Sequence, residues 1–91
     1  ADAVRTVADA LERDLSGLPA GSARPHVRSA LVAVQSGDLD AALVSLIEAV
    51  QIDRAYEEDI ARKLAVALFL MLGEADPVVR THRPVFNRSL F

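Results

Sequence analysis

The sequence contains no cysteine and no tryptophan. Without thiols there is no disulfide, no thiolate nucleophile and no cysteine metal site. Stability must come from packing, within the chain or shared with a partner. Aromatic residues make up only 4% of the chain. Long runs of alternating apolar and polar residues are missing, which leaves little signal for strands. A basic excess is also missing. Ten Lys and Arg face thirteen Asp and Glu, for a net charge of -3, and this excludes general nucleic-acid binding. The longest apolar run, Leu64 to Leu72, falls short of the roughly 20 residues a membrane span requires. Nothing at the N-terminus resembles a signal peptide, so a cytoplasmic location without membrane contact is expected. The chain begins with Ala1 rather than Met; either the initiator was removed or this is a piece of a longer protein.

What remains is an apolar, helix-favouring chain. Its 91 residues suit one domain, and 52% of them are hydrophobic, enough to build a core. Ala, Leu, Arg and Glu, all good helix formers, dominate. A leading helix is expected over residues 2–16, with Val4, Ala8, Leu11 and Leu15 as its apolar stripe. "GLPAGSARP", residues 17–25, is the only loop rich in Gly and Pro and the expected hinge. A second helix is expected over 24–36, with Val27, Leu31 and Val34 inward and Gly37 after its end. Asp38 suits an N-cap for a third helix to about Ile52, burying Leu39, Leu43, Leu46, Ile47 and Val50. A fourth helix opens near Glu57 and closes at Gly73. Asp76-Pro77 restarts the chain as N-cap and first helical residue. The fifth helix contains Pro84, where a kink or break is expected.

The segment "SGDLDAALVSLIEAVQID", residues 36–53, resembles the second helix of a tetratricopeptide repeat. Small Ala42 and Ala49 flank Leu46, and a Gly-Asp turn precedes them. A weaker copy follows 36 residues on, with Val78, Val79, Val85 and Phe86 standing for Ala42, Leu43, Ala49 and Val50. The implied fold is all-α, about five helices in a right-handed stack. Residues 1–91 then form one tetratricopeptide-like domain: the leading helix and helix pairs over about 24–52 and 57–90. An unrelated five-helix bundle is the alternative. The apolar fourth helix must be covered on all sides. Any part left open, at Phe69 and Leu70, would be a surface for a homodimer.

The second half carries Asp53-Arg54, Tyr56, Ala61-Arg62-Lys63, Leu72-Gly73, Asp76-Pro77, Arg80, Arg83 and a final Leu90-Phe91. In this order they resemble the C-terminal tetratricopeptide-like domain of bacterial thioredoxin-like co-chaperones, the chaperedoxin family. The resemblance implies a protein-interaction module that docks to a chaperonin or to unfolded clients through its C-terminal element. Family members usually carry a thioredoxin fold; with no cysteine here, redox chemistry lies outside these residues.

The tail from Arg80 to Phe91 has Arg80, Arg83 and Arg88 and no acidic residue, with Phe86, Leu90 and Phe91 as apolar anchors. That combination suits partner recognition. Against it, Phe86 and its neighbours could simply cap the core. A repeat groove would present Arg28, Arg62 and Lys63 to an acidic peptide, or these are ordinary solvated side chains. His26 and His82 lie far apart, lack metal-ligand spacing and are expected at the surface. Glu57, Glu58 and Asp59 fit the positive start of a helix better than an acid/base pair. Asp38, Asp40 and Glu48 are expected on a solvated face. No serine sits in a nucleophile motif and no Gly-rich phosphate loop is present. No enzyme activity and no cofactor are expected.

Overall fold

A computed structural model describes residues 2–13 and 15–90. It contains α1 (Asp2–Glu12), a 3-10 turn (Leu15–Gly17), α2 (Arg24–Gln35), α3 (Leu39–Ile52), α4 (Tyr56–Leu72) and α5 (Pro77–Ser89). No strand occurs among the described residues. The result is an all-α, tetratricopeptide-like stack.

The centre of the molecule is the α2–α3 hairpin, which packs most extensively. Gly37 adopts φ +82°, a conformation that costs a residue without Cβ nothing. The chain then reverses, and the Asp38 carboxylate accepts the Ala41 N–H at 3.1 Å, capping α3 as its sequence implied. Val27, Leu31 and Val34 of α2 meet Leu43, Leu46, Ile47 and Val50 of α3 in one core. Ala42 and Ala49 are fully buried, so their small side chains do allow neighbouring backbones close.

Helix α4 answers how its apolar run is covered. Its main neighbours are α1 and α3, with α2 and α5 adding smaller contacts. Ala61, Leu64, Ala65, Ala67, Leu68 and Phe69 are buried. Only Leu70 and Met71, 66% and 50% exposed, escape. Gly73, at φ +87°, ends the helix.

Helix α5 begins where the Asp76 carboxylate accepts the Val78 N–H at 2.9 Å, with Pro77 at the first helical position. It packs chiefly on α3 through Val79, His82 and Phe86. The break expected at Pro84 does not occur; the helix runs uninterrupted to Ser89. Pro84 and Arg80 are both exposed. The carbonyl that Pro84 cannot serve therefore lies on the solvent side, where water can replace the missing N–H.

Two further expectations are corrected. The buried face of α1 is not the stripe of Val4, Ala8 and Leu11. Val7 and Ala10 are buried, with Ala3 packed beside them, while Val4 and Leu11 are 56% and 48% exposed. The apolar arc of α1 is wider than one stripe, and α4 covers the half whose small side chains permit a close approach. The helix also stops at Glu12, earlier than its sequence pattern implied. The Gly- and Pro-rich loop, expected to be a hinge, is docked. Leu18 and Ala23 are buried in it, and the Tyr56 hydroxyl donates to the Pro19 carbonyl. A Cβ on Gly21 would lie 3.0 Å from the Tyr56 ring, so glycine is what lets the loop lie flat there.

Candidate functional site

Three exposed arginines lie along α5. Burial of Val79, His82 and Phe86 turns one face inward and leaves Arg80, Arg83 and Arg88 outward. Arg80, Arg83, Pro84 and Asn87 line one shallow depression together with Val79 and the acidic Glu74. Arg88 lines another with Gln51, Val85 and Ser89. The Arg83 guanidinium carbon lies 5.5 Å from the centroid of the Phe69 ring, a cation–π contact that holds one cation in place.

Phe86 is buried and makes an edge-to-face contact with Phe69, centroids 5.4 Å apart and planes at 68°. It is a core residue that fixes α5 on α4, not a free anchor. Leu90 is half-buried against the core; its carbonyl accepts from the Arg54 guanidinium at 3.0 Å, which ties down the end of α5. Phe91 lies outside the described residues.

The groove residues separate. Arg62 and Lys63 line the seam between α1 and α4, together with Ala3, Thr6, Val66 and Leu70. Farther along the same seam, Thr6 and Lys63 are joined by Asp9, Arg13, Glu57 and Ile60. Arg28 is exposed on α2 and lines neither stretch. The cause is α1 itself. It packs on both α2 and α4, the two helices expected to offer a peptide groove, and fills the space between them. Gln35 donates to the Ala10 carbonyl at 3.2 Å, and Arg13 pairs with Glu57, fastening the C-terminal end of α1. The cavities left along the seam, about 240 and 180 Å³, are below the usual 300–1,000 Å³ of a small-molecule site.

Phe69 and Leu70 also part company. Phe69 is buried and is corrected as a self-association residue; Leu70 remains exposed at the α1–α4 seam.

Both histidines bridge helices to α3. His82, expected at the surface, is only 8% exposed, and its Nε2 meets the Asp40 carboxylate. His26 Nδ1 lies 3.3 Å from Glu48 Oε2. Asp40 and Glu48 are thus helix-tying groups rather than a bare solvated face. The sequence did carry a signal for His82: it stands between Val79 and Phe86 at helical spacing, on their face. Glu57 and Asp59 open α4 at φ +48° and +63°, values L-residues avoid, so its first turn is irregular. Glu57 answers Arg13, and Asp59 faces Arg62 at 3.7 Å. Tyr56 beside them has its phenol pushed above the ordinary value. Burial is the main cause, Glu57 adds to it, and Arg24 and Arg13 oppose it.

Among the described residues no three His, Cys, Asp or Glu side chains gather to hold a metal, and no helix is long and apolar enough to cross a membrane. The stack, its closing glycines and its basic last helix define a helical-repeat protein. The chain belongs to the tetratricopeptide repeat family, whose model matches residues 3–91. No curated protein and no solved structure matches it. Tetratricopeptide-like domains are protein-interaction modules, and stacked helix pairs supply their binding surfaces.

Proposed function

We propose that the chain is a docking module of the chaperedoxin type, engaging a chaperonin or its clients through the outer face of α5. The observation that carries this is the division of labour along that helix. Val79, His82 and Phe86 hold it to the core. Arg80, Arg83 and Arg88 face solvent, and no acidic residue lies between Pro77 and Ser89. Arginine suits such a surface because its planar guanidinium pairs with carboxylates in a fixed fork. The complementary partner is an acidic protein surface, steered in by charge and held by the apolar end of the helix. The ordered resemblance from Asp53 to Phe91 supports a chaperonin as that partner.

The test is titration of a purified bacterial chaperonin with the chain and with three variants. Arg80→Glu/Arg83→Glu and Arg88→Glu reverse exposed charges, and a third chain ends at Ser89. All keep Phe86, whose loss would damage the core. Weaker binding by folded charge variants, and weaker binding at high salt, are the expected outcomes. Equal binding by all four chains would remove α5 as the docking surface.

A further inference from the structure

Helix α1 leaves an apolar face unused. Its apolar arc runs from Ala3, Val7 and Ala10, turned inward, to Val4, Ala8 and Leu11, turned outward. The outward three are spaced four and three residues apart, so they share one seam on the helix surface. One edge of this seam carries Arg5 and, two turns later, Glu12. Both are exposed, and neither has an ion-pair partner among the described residues. Arg13, by contrast, is committed to Glu57.

We propose that this seam pairs with the same seam of a second copy of the chain, antiparallel about a two-fold axis near Ala8. The charge pattern selects that occupant. In an antiparallel pairing Arg5 of each copy faces Glu12 of the other, twice over. Val4 then lies opposite Leu11, and the small Ala8 sits at the crossing, where bulk would hold the helices apart. A parallel two-fold pairing would put the Arg5–Glu12 edges of the two copies on opposite sides of the contact, where these charges do not meet. Self-complementarity under a two-fold rotation is what an isologous interface requires. The area on one helix face is small. Interfaces under about 1,200 Å² belong to transient encounters, so the product is a reversible dimer. It is independent of α5, whose basic face lies on another helix and stays available in each copy.

Sedimentation velocity over a concentration series tests this on the full chain. The native chain is expected to show a sedimentation coefficient that rises with concentration. Arg5→Glu and Glu12→Arg alone each turn two attractions into repulsions and should weaken dimerisation by about tenfold. The doubly exchanged Arg5→Glu/Glu12→Arg chain should recover it. So should an equimolar mixture of the two single variants, because each then supplies the charges the other lacks. All four positions tested are exposed, and circular dichroism checks that the variants fold. A chain that stays monomeric throughout overturns the proposal. So does a dimer indifferent to both charge reversals, or one dissociated by Leu70→Glu and not by Leu11→Glu.

Discussion

The Nε2 of His82, buried on α5, meets the Oδ1 of Asp40, exposed on α3. The bond joins residues 42 positions apart and is the polar counterpart of the Val79 and Phe86 contacts beside it. Removing Asp40 leaves a buried ring nitrogen without its partner, and such a loss costs about 1–2 kcal/mol. Asp40→Ala should therefore lower the urea midpoint clearly. Glu48→Ala breaks the more exposed His26 pair and should cost no more than about 0.5 kcal/mol. A double-mutant cycle of Asp40→Ala with His82→Ala should return a coupling above about 0.5 kcal/mol. Equal effects of Asp40→Ala and Glu48→Ala would show that burial of His82 does not matter.

Tyr56 ties the first turn of α4 to the α1–α2 loop. Tyr56→Phe keeps the ring on Gly21 and loses only the hydroxyl bond to Pro19, at a cost of about 1 kcal/mol. The alkaline response has a definite sign. The phenol is raised in the folded chain, so the folded state holds its proton more tightly than the unfolded one. Stability from this group is complete below about pH 10, the unfolded value, and is lost as pH climbs through the folded value. Melting curves between about pH 8 and 11 should fall more steeply for the native chain than for Tyr56→Phe. Parallel curves would contradict the raised value.

Gly21 and Gly17 make a controlled pair. Alanine at 21 places a methyl 3.0 Å from the Tyr56 ring, whereas alanine at 17 meets nothing within 4 Å. Gly21→Ala is expected to destabilise by about 1 kcal/mol through overpacking. Gly17→Ala should lie within about 0.5 kcal/mol of the native chain. Thermal unfolding of the two variants separates the effects.

Phe86→Ala and Phe69→Ala each remove one ring of an edge-to-face pair in the core and should cost about 3–5 kcal/mol. Leu70→Glu, one residue from Phe69 but at the surface, should leave stability within about 0.5 kcal/mol. If Phe69→Ala proved as mild as Leu70→Glu, the packing of α5 on α4 would be wrong.

Legibility from sequence followed the punctuation. Gly37-Asp38 and Gly73 to Pro77 fixed four helix ends, because a positive φ and a carboxylate cap are local demands. The inner faces of α2 and α3 were legible because most of their large apolar residues share one face, with only Val32, Val44 and Ile52 left exposed. The face of α1 was not. Two adjacent stripes were available, and the choice depended on how closely α4 could approach Ala3 and Ala10. For α5, helical spacing pointed to a buried Phe86, yet the same residue also fitted an anchor for a partner. Only the position of Phe69 decides between them. The filling of the groove by α1 left no trace in any local pattern, since it depends on residues about fifty positions apart.

That last contact changes how the chain must fold. In an extended repeat array each unit touches only its sequence neighbours, and parts can unravel one at a time. Here Arg13 reaches Glu57 across 44 positions, and α1 reaches past α2 to α4. Ordering the first helix therefore waits on the fourth, which raises contact order and slows folding relative to a simple stack. In exchange, α1 cannot melt alone without exposing Leu64 and its neighbours on α4. Native-state hydrogen exchange should accordingly report α1 and α4 opening together as one cooperative unit.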